Sequence, residues 1–260
     1  MKPIFETKKD LLLVSIYPTN REMGMAATEE AVEVIKKAIQ DRGHANIIIA
    51  TGNSQLSFLE ALSAREDVDW LYINVFHMDE YVGIPADHPA SFPLFLHRHI
   101  IDKVKPRNFY PIVGQTKDPE ETCHRYEKLL RENPADLCAL GIGENGHLAF
   151  IDPPWCDFND PAAVRAVELD EVSRNQQVHD GGFARLEDVP RTAFSLTIPF
   201  IMGVPRAAAI VPGSAKRAAI GAALDGPVTT ACPASILRRH PNATLFLDEE
   251  SAALVERTET

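Results

Sequence analysis

Residues 46–54 of the chain read NIIIATGNS, an unbroken apolar run that enters a turn of glycine, asparagine and serine. A run without polar alternation is typical of a parallel strand that is covered on both faces. The residues that follow, QLSFLEALSA at 55–64, have the apolar spacing of a helix. This stretch therefore predicts a strand, a glycine-bearing turn and a helix, which is the repeating pattern of an α/β fold.

The same alternation extends outward in both directions along the chain. A single α/β domain over residues 1–260, with a mostly parallel sheet flanked by helices, is the fold class that it predicts. The predicted strands are 14–17, LYINVFHM at 71–78, 109–113, LCALGIG at 137–143, AFSLTI at 193–198, RAAAIV at 206–211 and ATLFL at 243–247, with VRAVEL at 164–169 as a weak candidate. The other predicted helices are 20–42, SFPLFLHRHI at 91–100, 119–132 and AKRAAIGAAL at 215–224.

Composition excludes several classes of function. The chain has 26 Lys and Arg against 37 Asp and Glu, a formal charge of -11, whereas nucleic-acid and membrane-surface binding need a cationic face. No apolar run approaches the roughly 18 residues of a membrane span, and the first residues lack the apolar stretch of a signal peptide. The four cysteines form no CxxC pair. We therefore expect reduced thiols and a cytoplasmic location.

Residues from about 153 to 190 interrupt the regular alternation, because they are rich in Asp, Pro, Gly and Gln. A long irregular segment within a compact domain is usually mobile or functional. We therefore predict a mobile lid at about 153–190.

Two glycine-bearing turns after strands suit an anion. The first contains Thr51, Gly52, Asn53 and Ser54 and would present backbone N–H groups and a helix start to a phosphate. An ordinary capped turn is the alternative. The second turn carries Lys216 in the first turn of a helix, where a cation is disfavoured unless an anion is bound. A surface lysine is the alternative there.

Two other strand ends carry acid–base residues. Asp79 and Glu80 are adjacent carboxylates at a place where packing disfavours them, which suggests a general base or else a solvated loop. His147 follows three glycines that let the backbone approach a ligand. Asp152, five residues later, could orient its imidazole as a proton-shuttling pair. A buried structural histidine is the alternative reading.

The motifs together resemble one enzyme family. ATGNS, MDEYVG followed by HPAS, GIGENGHLAFIDP, SRNQQ and GSAK are similar to those of the glucosamine-6-phosphate deaminase/isomerase family and of the related 6-phosphogluconolactonases. The resemblance runs from residue 47 to residue 249 and implies a Rossmann-like fold of the deaminase/isomerase type. Lactonases typically have Asp-Glu-Arg where this chain has Asp79, Glu80 and Tyr81, which favours the deaminase side.

The resemblance implies catalytic roles. Asp79 would move the proton between C2 and C1 of the open sugar, and His147 would open the pyranose ring. Asp152 stands where the family usually has a glutamate that supports this histidine. Asn145 stands where the family usually has an aspartate, and an amide cannot hold an imidazolium as a carboxylate would.

The resemblance also implies a binding set. The phosphate would be held by the turn of residues 51–54, by Arg174 and by Lys216, and Glu80 and Gly146 would contact the substrate. No metal and no organic cofactor are implied, because the reaction needs only acid and base groups. The segment after Asp152 lacks the cluster that resembles the allosteric site of regulated deaminases, so we do not expect such control.

The expected function is the conversion of glucosamine 6-phosphate, or a similar amino sugar phosphate, and water to fructose 6-phosphate and ammonia. The alternatives are a 6-phosphogluconolactonase-like hydrolase or another sugar phosphate isomerase, and a non-catalytic sugar phosphate sensor. The expected partner is a small sugar phosphate, with no nucleic acid and no membrane. Family members range from monomers to hexamers, so a homo-oligomer is one of the states allowed.

Overall fold

Two β-sheets organise the computed structural model, which describes residues 1–257. The strands are β1 (Phe5–Lys9), β2 (Leu12–Tyr17), β3 (Ala45–Ile49), β4 (Ile73–His77), β5 (Asp79–Tyr81), β6 (Asn108–Tyr110), β7 (Leu137–Leu140), β8 (Val164–Glu168), β9 (Thr192–Leu196), β10 (Ala207–Val211) and β11 (Ala243–Asp248). The central sheet has the order β1-β2-β11-β10-β7-β3-β4-β6. Every neighbouring pair in it is parallel except β1 with β2. The predicted α/β class with a mostly parallel sheet is confirmed.

Helices connect the parallel strands. They are α1 (Asn20–Arg42), α2 (Leu56–Ser63), α3 (Phe92–Leu96), α4 (Asp102–Val104), α5 (Pro119–Glu132), α6 (Glu171–His179), α7 (Ile198–Met202) and α8 (Arg217–Asp225). A π-helical turn, His97–Ile101, joins α3 to α4. Short 3₁₀ turns precede α2 at Asn53–Gln55 and α8 at Ser214–Lys216. No helix within residues 1–257 is both long enough and apolar enough to cross a bilayer.

Local signals explain why α1 has the predicted bounds. The Thr19 side chain accepts a hydrogen bond from the Glu22 backbone N–H at the start of the helix, which satisfies one of the donors that a helix start leaves free. At the other end Gly43 has φ 80°, and its N–H bonds the Ile39 carbonyl. A left-handed glycine is a common helix stop. The helix therefore begins and ends at residues that the sequence identifies.

The core lies on both faces of the central sheet. In β3, Ile47 and Ile49 are fully buried in one hydrophobic cluster with Ile35 of α1. The residue between them, Ile48, is fully buried in the opposite cluster with Leu140 of β7. Because successive side chains of a strand point to opposite faces, this placement accounts for the unbroken apolar run in the sequence.

The second sheet was not predicted. It is antiparallel, with the order β5-β9-β8, so the AFSLTI run lies in this sheet and not among the parallel strands. The segment 153–190 also has more regular structure than its composition suggests, because VRAVEL forms β8 and the following residues form α6. The mobility of this segment remains a prediction.

Candidate active site

A cavity of about 690 Å³ opens at the carboxyl ends of the parallel strands, where ligands of such sheets bind. The turns that follow β3, β4, β7 and β10 all line it, which is the convergence that the strand–turn pattern predicts. The predicted site residues on its wall are Thr51, Gly52, Asn53, Ser54, Asp79, His147 and Lys216.

Asp79 is a buried carboxylate at the cavity wall. It begins β5, pairs in register with Ser195 of β9, and is 7 % exposed. Its Oδ1 has no hydrogen-bond partner among residues 1–257. Burial, and then the charge of Glu80, raise the pKa of Asp79 to about 8. A buried carboxyl group without a partner is costly for the fold, and it can accept or return a proton near neutral pH.

Two polar residues contact the Nδ1 side of the His147 ring. Its Nδ1 lies 2.8 Å from the Ser173 Oγ and 3.2 Å from the Asp152 Oδ1. The Ser173 hydroxyl also donates to the same Asp152 oxygen. All hydrogen bonds of the ring to residues 1–257 involve Nδ1, so Nε2 is the nitrogen left for a ligand in the cavity.

The carboxylate of Asp152, one of these two residues, is completely buried. Burial alone would raise the pKa of Asp152, but its contacts with His147, Asn145 and Ser173 lower it below the usual value. Its second oxygen accepts from the Asp170 backbone N–H at 2.9 Å. Asp152 is therefore ionised at neutral pH, and it can stabilise a positive charge on the imidazole.

Asn145 does not bond the imidazole ring. Its Nδ2 donates to Asp152 Oδ1 at 2.9 Å and to Asp170 Oδ2 at 3.0 Å, and its Oδ1 accepts from the His147 backbone N–H. The amide thus separates two carboxylates and orders the turn before the histidine. An ionised aspartate at this position could accept hydrogen bonds but could not donate to the two carboxylates.

Lys216 and two glycine turns lie at the cavity wall as candidate anion-binding groups. Gly52 and Gly213 have φ values of 93° and 87°, which favour glycine, and each begins a 3₁₀ turn that leads into a helix. Lys216 is only 9 % exposed. Burial lowers the pKa of Lys216, and the charges of Glu144 and Asp180 oppose that shift.

The end of α6 lines the cavity and, with Asp180 after it, contacts two of the turns and strand β5. Gln177 Oε1 accepts from the Tyr81 hydroxyl at 2.7 Å, and Gln176 Oε1 accepts from the Glu144 backbone N–H at 3.0 Å. Asn53 Nδ2 donates to the Asp180 carbonyl at 3.2 Å. These bonds are the ones that would break if the predicted lid moved.

The fold and these motifs match a known family. Residues 18–246 match the family of glucosamine-6-phosphate isomerases/6-phosphogluconolactonase over most of the chain. The chain belongs to this family. Members named glucosamine-6-phosphate deaminase include one from Exiguobacterium sibiricum, 39 % identical over 207 residues and 80 % of each chain. Another, from Lactobacillus delbrueckii subsp. bulgaricus, is 33 % identical over 228 residues, covering 88 % of this chain and 94 % of that protein.

Solved structures of the family share the architecture. A monomeric glucosamine-6-phosphate deaminase superimposes with a TM-score of 0.84 at 26 % identity, over 93 % of this chain and 99 % of that one. A 6-phosphogluconolactonase from Thermotoga maritima gives a TM-score of 0.74 at 18 % identity, over 91 % and 99 % of the two chains. The second likeness concerns the fold alone.

Three residues that were predicted to bind the substrate or its phosphate do not line the cavity. Arg174 donates to the carbonyls of Leu186 and Val189 at 2.6 and 3.0 Å. It holds the end of the 153–190 segment and does not line the cavity in this structure, so its assignment to the phosphate stays a prediction.

Glu80 and Gly146 also lie outside the cavity lining, so their contact with the substrate stays a prediction. Glu80 is 1 % exposed and accepts from the Ser91 hydroxyl and the Phe92 backbone N–H, so it anchors the loop beside the site. Burial raises the pKa of Glu80 to about 7 in spite of these bonds. Gly146 has φ 83°, and a Cβ there would lie 2.9 Å from the Cys232 Sγ. It serves the turn before His147.

The quoted SRNQQ motif contains Ser173, Gln176 and Gln177, but no role was predicted for them, and Asp170 was not singled out. All four hold the site together. Asp170 caps α6 by accepting from the Ser173 backbone N–H at 2.7 Å. An aspartate three residues before a serine at a helix start is a recognisable capping signal. The contacts of the two glutamines join segments that are distant in the sequence, so the motif alone could not show what they bond.

Proposed function

We propose that the chain is a deaminating aldose–ketose isomerase that converts glucosamine 6-phosphate and water to fructose 6-phosphate and ammonia. The observation that carries the proposal is the buried carboxyl of Asp79, whose Oδ1 has no partner in the part of the chain that the structure describes, in a cavity that also presents His147 and Lys216. The names of the relatives at 33–39 % identity support it.

Ring opening is the first step, and we assign it to His147. The Nε2 lone pair takes the proton from the anomeric hydroxyl O1. The O1 electrons form the C1 carbonyl, the C1–O5 bond breaks, and O5 receives the proton from Nε2. The imidazole is cationic between these transfers, and the ionised Asp152 beside it stabilises that charge.

Isomerisation and deamination follow on the open chain. The Asp79 carboxylate takes the C2 proton, the electrons form the C1–C2 double bond, and O1 is protonated. Asp79 returns its proton to C1 while the nitrogen lone pair forms a C=N bond, which leaves an iminium ion at C2. Water adds to C2 and one of its protons passes to the nitrogen. The C2–N bond then breaks with loss of ammonia, the C2 hydroxyl electrons form the ketone carbonyl, and the hydroxyl proton goes to solvent, replacing the one that O1 took up. Each of these steps moves protons between the sugar, water and groups that act as acids and bases.

The phosphate is assigned to the anion-binding groups of the cavity. Lys216 supplies a positive charge, and the residue 51–54 turn supplies backbone N–H and hydroxyl donors. Because the whole chain has a formal charge of -11, affinity for an anion must come from this local set of donors. Of the two cations predicted for the phosphate, Lys216 lines the cavity and Arg174 lies outside its lining.

Ammonia release from glucosamine 6-phosphate tests the proposal. We expect release coupled to formation of fructose 6-phosphate, and its loss in Asp79→Asn. The exposed Asp87→Asn is the matched control and should keep full activity. Hydrolysis of 6-phosphogluconolactone alone would make the chain a lactonase. Binding of the amino sugar phosphate without any turnover would make it a sensor.

A further inference from the structure

Ser173 is a buried polar residue that the proposed steps do not use. It is 1 % exposed, on the first turn of α6, and does not line the cavity. Its hydroxyl nevertheless contacts both His147 Nδ1, at 2.8 Å, and Asp152 Oδ1. It is therefore inserted between the imidazole and the carboxylate that supports it.

The direction of these hydrogen bonds follows from the chemistry of the three groups. An ionised carboxylate only accepts hydrogen bonds, and its surroundings lower the pKa of Asp152. The single hydroxyl proton of Ser173 must therefore point to Asp152. Its oxygen can then only accept from His147, which requires the imidazole proton to be on Nδ1. The lone pair is left on Nε2, the nitrogen available to the cavity.

We infer that Ser173 is a positioning residue that fixes His147 in the Nδ1–H tautomer and links the imidazole to Asp152 during ring opening. The catalytic part of this inference rests on the proposed function, whereas the tautomer does not. The direct distance from Nδ1 to the Asp152 oxygen is 3.2 Å, longer than the distance to the hydroxyl. The serine oxygen is thus the nearer acceptor for the ring proton.

The hydroxyl is not needed for the helix that carries it. The capping bond to Asp170 uses the Ser173 backbone N–H, and an alanine would keep it. Ser173→Ala therefore removes the link between ring and carboxylate while leaving the start of α6 intact. Ser173→Thr retains a hydroxyl on the same carbon and serves as the rescue variant.

The kinetic test compares these variants on the cyclic amino sugar phosphate. We expect Ser173→Ala to lower kcat about 10- to 100-fold, the range for a hydrogen bond to a charged group, with KM within about threefold. Ser173→Thr should recover most of kcat. In an Asp152→Asn background the serine change should cost less than about threefold, because the pair acts as a unit. Ser235→Ala removes another buried hydroxyl that bonds backbone groups and should leave kcat unchanged.

A spectroscopic test does not depend on turnover. Nitrogen-15 chemical shifts of His147 in the free protein should report the Nδ1–H tautomer, with a smaller share of it in Ser173→Ala and recovery in Ser173→Thr. An Nε2–H tautomer in the wild type would overturn the inference, as would an unchanged tautomer ratio and kcat in Ser173→Ala. If the wild type releases no ammonia, the proposed function fails while these shifts still decide the role of Ser173.

Discussion

Lys216→Met is the perturbation that most sharply isolates the phosphate contact. Lys216 lines the cavity and is only 9 % exposed, with Glu144 and Asp180 as the charges that face it. Methionine keeps much of the apolar stem and removes the positive charge. The change therefore tests the ammonium group without opening a large space in the wall.

The expected loss can be worked from the type of bond. A charge-assisted hydrogen bond contributes roughly 1.5–3 kcal/mol. At ~1.4 kcal/mol per factor of ten, Lys216→Met should weaken binding of glucosamine 6-phosphate about 10- to 100-fold. A surface lysine was the alternative reading of the sequence, but the side chain is buried, so removal of its charge relieves a desolvation cost. The midpoint of thermal unfolding without ligand should therefore stay level or rise.

Isothermal titration with three ligands provides the assay. Glucosamine 6-phosphate and inorganic phosphate should both bind more weakly to Lys216→Met, whereas affinity for unphosphorylated glucosamine should hardly change. The exposed Lys37→Met controls for the loss of one charge from the whole chain. Equal phosphate affinity in wild type and Lys216→Met would refute the assignment and leave the lysine a structural role.

Three further changes test the geometry around the reacting groups. Burial and the charge of Glu80 raise the pKa of Asp79 to about 8, and Glu80→Gln removes that charge. Since Asp79 must be ionised to act as a base, the acid limb of the kcat/KM profile should move to lower pH by on the order of one unit. An unmoved limb would contradict this. In Gly143→Ala the new Cβ would lie 2.1–2.3 Å from three atoms of the His147 ring, so steady-state assays should show kcat reduced by ~100-fold, the cost of misplacing a catalytic group by about 1 Å. Asn145→Asp removes the donor between the carboxylates of Asp152 and Asp170. Chemical denaturation should show a free energy of unfolding lower by roughly 1–3 kcal/mol, and ring-opening assays should show no increase in rate.

The parallel half of the fold could be predicted because its signals are local. The unbroken apolar run of β3 reports burial on both faces of one strand, and the turn after it is marked by Gly52. Helices α1 and α5 carry both an apolar face and end signals, so their bounds agree with the sequence prediction. Periodicity and turn chemistry are properties of a short window, and they survive in the folded protein.

The antiparallel sheet and α6 could not be predicted in the same way. Strand β8 has only one fully buried residue, Val164, at its start, so its pattern is weak. Helix α6 buries a serine and no large apolar side chain. Its place over the cavity depends on contacts such as the one between Gln177 and Tyr81, which are 96 positions apart. Such contacts exist only after the chain has folded.

The site residues also differ in whether a local sequence signal or a long-range contact places them. Asp79 and His147 could be singled out from the sequence because Asp79 comes just after strand β4 and His147 follows the glycine-bearing turn after strand β7. The direction of the Arg174 side chain could not be predicted, because a motif gives a residue type and an approximate region but not the direction of a long side chain. Ser173, its neighbour, points toward the histidine from the same helical turn. Only the three-dimensional contacts distinguish the two.

Proton exchange at the sugar carbons tests the central claim, that Asp79 is the base. The reaction is run with glucosamine 6-phosphate in deuterated water, and deuterium at C1 and C2 of the recovered sugars is measured by NMR. We expect the wild type to incorporate deuterium and Asp79→Asn to lose both exchange and turnover by roughly 10²–10⁴-fold, while still binding inorganic phosphate. Exchange at near-wild-type rates in Asp79→Asn would contradict the account.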